Sequence, residues 1–588
     1  MTVLCLSQRR PSSTAALVLA LALPALPAGA QPGAPSPAVI ASAPAPATPP
    51  PMPPLTAAWL QSRLDARFQG DRTGACVVAA VIAPGQVLRG RTCAQPRDGG
   101  GPGYDSTFEI GSVTKTMTAA LVADLVRQGR WTLDDPIAAH LPPGTPVPRQ
   151  GDRQILVRDV LTHTSGLPGL PPGFAPRHPD DPYAELTEPA LLAALGQVQL
   201  TRPIGSQFEY SNFAMMVLSA AVARSTGGDF EATLVGRLLA PLKMDGAFVT
   251  HPRGPRPAAT GHLPSGRPTS DWHVATNLAG VGMVRATLDD MIRYVQGHLG
   301  QADPDLRATL ALTREPLDAH TAMNWMRLQL PGREIVAHEG ATGGFSSLVV
   351  IEPKAGRAVV ILADTSLGDL GGLGSLGSAL LGIDMEPLRP RRAVPASEEQ
   401  LAGMPGDYDL GGMHVKIWRD GARLMAQADG QAAFALEHDS EGDFYPEGFS
   451  ALLSPQWEDG RMVHALWRQL GGITEVTRQG LPAPRAADAA AADPRWQPLQ
   501  GEYALAPQFH LRVFVDHGRL QVQGSGQPPI EATLTGPDTI EIKAVGAVVE
   551  FKRDAAGQVR SAVLRQGGQV IEGPRVAPAP AATRSPQG

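Results

Sequence analysis

Ser112-Val113-Thr114-Lys115 follows Phe108-Glu109-Ile110-Gly111 and leads into a helical pattern with Val113, Met117, Leu121 and Leu125 on one stripe and Gly129 as a stop. At that spacing a lysine amine reaches the serine oxygen, and the free N–H groups of a first helical turn favour developing negative charge. The pattern predicts that Ser112 opens the helix, so that a nucleophile, a base and an oxyanion donor meet. Tyr210-Ser211-Asn212 marks a loop-to-helix junction ahead of an apolar helix from Ala214 to about Thr226. Beside Lys115 the Tyr210 phenol would pass a proton between Ser112 and a leaving group, and the Asn212 amide suits a substrate carbonyl. A third element, His338-Glu339-Gly340-Ala341-Thr342-Gly343-Gly344, is expected in an edge strand. Alternation there sends His338 and Gly340 to one face and Glu339 to the other, and the glycines admit a substrate backbone. Position 342 is Thr342, so no His-Glu-x-x-His zinc motif forms and no metal site is expected.

These residues need a scaffold. Val77 to Ile82 and Val87 to Arg91 read as strands joined at Pro84-Gly85, and a two-residue loop there pairs Ala83 with Gln86 and, counting outward, Cys76 with Cys93. Those cysteines fall on a close, non-hydrogen-bonded pair, which predicts a cross-strand disulfide suited to an oxidising compartment.

In that order, Ser112-x-x-Lys115, Tyr210-x-Asn212 and His338-x-Gly340 resemble the three motifs of the penicillin-recognising serine hydrolases, in their class C β-lactamase-like branch. Val160-Leu161-Thr162-His163-Thr164-Ser165-Gly166-Leu167-Pro168, Leu239 to Met244 and Ala279-Gly280-Val281-Gly282-Met283 are similar to that family as well. His163 reads as a residue that braces a loop. The resemblance implies an α+β serine β-lactamase-like domain, an antiparallel sheet flanked by helices plus a helical subdomain. It implies an acyl-enzyme on Ser112, with Lys115 and Tyr210 sharing general-base and general-acid work, and no cofactor. Substrate binding would fall to Asn212, His338 and Gly340, and the oxyanion hole to the backbone N–H groups of Ser112 and Ala341. Burial would lower the Lys115 pKa from its usual ~10.4. Many members carry lysine where this chain has His338, a group that titrates near ~6.5. The expectation is an imidazolium that holds a substrate carboxylate weakly, with KM rising as pH passes ~6.5. That favours amidase, D-aminopeptidase or esterase chemistry over efficient β-lactam hydrolysis.

Around this domain, assigned to 55–388, lie segments of other character. Arg9-Arg10, the apolar stretch Ala15 to Leu26 and Ala28-Gly29-Ala30 read as a signal peptide over 1–30, followed by a Pro/Ala-rich linker over 31–54. They imply a periplasmic or secreted protein with no transmembrane anchor after cleavage. Beyond Arg392 short alternating strands take over. Gly406-Asp407-Tyr408 returns as Gly501-Glu502-Tyr503, and Arg468-Gln469-Leu470-Gly471 as Arg565-Gln566-Gly567-Gly568. Two copies of an all-β barrel-like module are expected, over 397–480 and 496–577, with a linker at 481–495 and a tail at 578–588. By resemblance to paired barrels in D-stereospecific aminopeptidases they would overhang the cleft; the alternative is packing or wall-surface binding. With 588 residues, a net charge of −6 and 18% charged residues, the chain fits neither a disordered acidic protein nor a nucleic-acid binder.

The function expected is an exported hydrolase that acts through an acyl-serine on a small amide or peptide, with D-amino-acid or cell-wall peptides favoured. The alternatives are an esterase or weak β-lactamase of the same family, and a binding protein that keeps the fold without turnover. Oligomeric state has no signature in the sequence.

Overall fold

The computed structural model describes residues 54–96, 100–330, 332–383, 388–469, 472–480 and, with short breaks, 493–576. The segments expected to be a signal peptide, most of the first linker, most of the 481–495 linker and the tail lie outside the described residues.

Ten elements frame the catalytic region: helix α1 (Ala57–Phe68), strands β1 (Cys76–Ala83) and β2 (Gln86–Cys93), helices α2 (Thr114–Arg127) and α3 (Asn212–Ser225), strands β3 (Met326–Leu330), β4 (Arg333–Ala341), β5 (Ser346–Glu352) and β6 (Arg357–Ala363), and helix α4 (Gly374–Leu380). The six strands form one sheet in the order β2-β1-β6-β5-β4-β3, with every pair antiparallel. Both sheet faces are covered, which is why β1 reads as an unbroken apolar run, Cys-Val-Val-Ala-Ala-Val-Ile-Ala, and not as a half-polar strand. Alternate residues go to opposite cores. Val78, Ala80, Val349, Ile351, Val360 and Leu362 join the core that holds Met117 of α2 and Phe213 of α3. Val77, Ala79, Leu348, Val350, Val359 and Ile361 meet Leu60 and Leu64 of α1 and Leu376 of α4.

The β1–β2 hairpin pairs Ala83 with Gln86 and Cys76 with Cys93, and the two cysteines are bonded as a disulfide. β4 departs from the edge position expected of it. β3 pairs along it as far as Met326 opposite Ala337, so β3 is the edge strand. Met326-Arg327-Leu328-Gln329-Leu330 alternates apolar and polar residues as a half-covered strand does, but five residues are too few for that pattern alone to mark a sheet edge.

Beyond the catalytic region, eight strands from Gly406–Leu410 to Gly472–Arg478 close into a barrel. Further on, Gly501–Ala506 to Ile530–Glu531 form a four-stranded sheet and Thr533–Gly536 to Gln569–Pro574 a five-stranded one around a shared core. One local device recurs: the Tyr408 hydroxyl donates to Met404 O at 2.6 Å, and the Tyr503 hydroxyl donates to Leu499 O at 2.7 Å. Both phenols are fully buried, so each needs that acceptor.

The barrel is fastened to the catalytic region by a buried ionic hub. Asp439, with no exposed surface, accepts from Arg72 Nε at 3.1 Å and Arg391 Nη1 at 3.0 Å, and Asp443 accepts from Arg391 at 2.7 Å. The Arg72 guanidinium also stacks 3.5 Å from the Tyr445 ring centroid. Leu452 of the barrel enters the outer core of the catalytic sheet.

Candidate active site

Phe108–Glu109 pairs with Arg285–Ala286 and delivers the chain into a tight turn. Gly111 adopts φ +48, a left-handed conformation that glycine tolerates and a branched residue does not. That break changes the local structure from the one expected. Ser112 lies in a 3₁₀ turn, Gly111–Val113, and α2 begins only at Thr114. The i, i+3 spacing still works, because Lys115 Nζ stands 2.8 Å from Ser112 Oγ.

Lys115 has no exposed surface. Its amine also contacts Asn212 Oδ1 at 2.9 Å and the Val281 carbonyl at 2.6 Å. With no carboxylate among these contacts, desolvation is uncompensated and holds the Lys115 pKa well below its ordinary value. Asn212 opens α3, where Ser211 Oγ caps the helix by accepting from Ala214 N at 2.9 Å. The Asn212 Oδ1 atom is thus engaged with Lys115, and its Nδ2 faces the Tyr183 hydroxyl at 3.5 Å.

The Tyr210 ring lies over the same amine, 4.8 Å from centroid to Lys115 Nζ. Burial pushes its phenol above the ordinary range, opposed by a hydrogen bond with Ser112. His163 stacks on Tyr210 at 4.4 Å between centroids, and its Nδ1 accepts from Ser211 N at 3.2 Å. Backbone at φ +55 and a 3% exposed side chain place His163 as the brace of that loop.

β4 brings the third element in. Gly340 packs against the serine turn so tightly that a Cβ there would run into Ile110 O and lie 2.9 Å from Ser112 N. A Cβ on Gly111 would lie 2.6 Å from Ala341 N. The backbone nitrogens of Ser112 and Ala341 are therefore neighbours. His338 lies on the same face, 7% exposed, with Nδ1–H donating to the Glu339 carbonyl at 2.8 Å. Desolvation first, and the nearby Lys115 second, pull its pKa down to about 3. That direction runs against the imidazolium expected from sequence and favours a neutral ring with Nε2 as an acceptor. Sequence had no access to the burial that decides this.

Two contributors escaped sequence reading. The Val281 carbonyl is held toward Lys115 by the Thr276–Val281 turn, pinned where Gly280 N meets Ser219 Oγ at 2.9 Å and Thr118 Oγ1 meets Gly280 O at 2.8 Å. Only the small-residue run Ala279-Gly280-Val281-Gly282 hinted at such close packing. Tyr183, 5% exposed, comes from an irregular stretch without periodicity.

A sequence model of the family described as Beta-lactamase matches residues 62–371. The D-alanyl-D-alanine-carboxypeptidase/endopeptidase AmpH of Escherichia coli (strain K12) is 31% identical over 238 residues, covering 40% of this chain and 60% of AmpH. The esterase EstB of Burkholderia gladioli is 33% identical over 217 residues, 33% of this chain and 53% of EstB. The chain thus spans little more than half the length of these relatives. The solved D-alanine carboxypeptidase AmpC from Burkholderia cenocepacia superposes with a TM-score of 0.45 at 21% identity, over 56% of this chain and 99% of that one. The matched residues run from α1 through the serine turn to the segment after β6, and on that ground the chain belongs to the beta-lactamase family of serine hydrolases.

Proposed function

We propose that the enzyme hydrolyses a small amide or ester through an acyl-serine intermediate on Ser112, and that its substrate carries no free carboxylate beside the scissile bond. The observation that carries this reading is the 2.8 Å approach of a buried, uncompensated Lys115 amine to Ser112 Oγ. A neutral amine has two N–H bonds for Asn212 Oδ1 and Val281 O, which leaves its lone pair for the serine proton. Ser112 Oγ then adds to the carbonyl as Lys115 takes that proton. The Ser112 and Ala341 N–H groups stabilise the oxyanion, and Tyr210 relays the proton from Lys115 to the departing amine or alkoxide. Water reverses the sequence: its proton returns through Tyr210 and Lys115, its oxygen adds to the acyl carbon, and Ser112 Oγ leaves.

The neutral His338 supports the choice of substrate, since it offers no positive charge to a carboxylate. A D-amino-acid amide or anilide and a simple ester both meet that requirement. Initial rates on D-Ala-p-nitroanilide, p-nitrophenyl butyrate and nitrocefin test it: one of the first two should lead, and dominant nitrocefin turnover would overturn it. Export to the periplasm or beyond goes with this reading, supported by the Cys76–Cys93 disulfide. Among the described residues no helix is long and apolar enough to cross a membrane.

A further inference from the structure

β3 stops pairing at Ala337, so among the described residues the last four residues of β4, His338 to Ala341, have a strand partner on one side alone, β5. That short free edge carries the Ala341 N–H, and something other than a second strand must fix its height above the serine turn. On the inner face Gly340 seats against Ile110 and Ser112. On the outer face stands Glu339. The Leu373 N–H donates to Glu339 Oε1 at 2.5 Å, and the backbone of Gly372, at φ +66, comes so near the carboxylate that a Cβ would collide with it.

The holding segment is itself buttressed. Asp369, four residues before Leu373, accepts from Ser450 Oγ of the barrel at 3.3 Å. Leu370 and Leu373 share their core with Leu452, and Tyr445 packs against it.

We propose that Glu339 is a positioning residue, its carboxylate tying the free end of β4 to the barrel-backed segment at Leu373 and so setting the Ala341 N–H beside the Ser112 N–H. The role rests on the reading of those two N–H groups as the oxyanion donors. Glu339 touches no reacting atom; it acts through the strand. Displacement of a catalytic group by about 1 Å costs up to ~100-fold in rate, so release of this tie should be felt in turnover before binding.

The test uses the full chain and p-nitrophenyl butyrate, with active sites counted by a fluorophosphonate. Glu339→Ala should lower kcat per titrated site by about 10-fold with KM within about twofold. Glu339→Gln keeps an acceptor oxygen and should recover most of the loss. Gly372→Ala, which drives a methyl into the carboxylate, should repeat the kcat loss without altering Glu339 itself. Wild-type kcat in Glu339→Ala, or an equal loss in the glutamine variant, would overturn the positioning role. A wild-type chain that takes no fluorophosphonate at Ser112 would overturn the acyl-serine reading beneath it.

Discussion

A Cβ placed on Gly111 would sit 2.6 Å from the backbone nitrogen of Ala341, so the serine turn and the end of β4 meet backbone to backbone with no room for a side chain between them. Gly111→Ala adds strain at φ +48 to that clash, and Gly340→Ala pushes a methyl into Ile110 O. Each should reduce kcat by about 100-fold, the scale of one lost oxyanion donor, and destabilise the fold by ~1–3 kcal/mol. Steady-state kinetics beside thermal melts check this; normal kcat in either variant would contradict it.

The lowered pKa of Lys115 has two consequences for pH. As a base it works only when neutral, so kcat/KM should climb with pH and reach its plateau well below the ~10.4 of a free lysine. For stability the sign is the same. Between the lowered folded value and ~10.4 the unfolded chain binds a proton that the folded chain does not, so the contribution of this group to stability rises with pH across that window. Lys115→Arg stays charged and should cut kcat by about 1000-fold. A pH–rate profile still rising near 10 would refute the neutral amine.

Burial lowers the pKa of His338 below that of a free histidine. With its pKa at about 3, KM for nitrocefin, which carries a carboxylate, should stay flat from about pH 5 to 8. A KM that steps near ~6.5 and loses the step in His338→Asn would restore the imidazolium.

The hub around Asp439 should be costly to break from one side. Asp439→Ala leaves the buried Arg72 without its carboxylate and Arg391 with Asp443 alone, at a cost of ~3–5 kcal/mol. Urea unfolding would register that as a lower midpoint, while kcat per titrated site in the folded fraction should change little. An unchanged midpoint would mean that Asp439 contributes nothing to holding the barrel on the catalytic region.

The β1–β2 hairpin register, with its cysteine pair, was legible because a two-residue turn and alternation fix every partner once the loop is located. The helical stripe Met117, Leu121 and Leu125 was legible for the same kind of reason. Other features were not. The 3₁₀ turn at Ser112 depends on Gly111 meeting Ala341, a contact across more than two hundred residues. The Val281 contribution is a backbone carbonyl, which any residue type supplies, so no side chain announces it. The lowered pKa of His338 follows from burial, and β3 is a five-residue alternation too short to announce a sheet edge. Residue types and spacing told which groups can react; burial and long-range packing decide their protonation and exact neighbours.

The central claim, a serine at 112 activated by a buried amine, is tested most directly by intact-mass spectrometry of the full chain after exposure to a fluorophosphonate. The wild type should gain one adduct, mapped by peptide sequencing to Ser112, Lys115→Ala should gain it far more slowly, and Ser112→Ala should gain none. An unmodified wild type, or an adduct that persists in Ser112→Ala, would contradict the account.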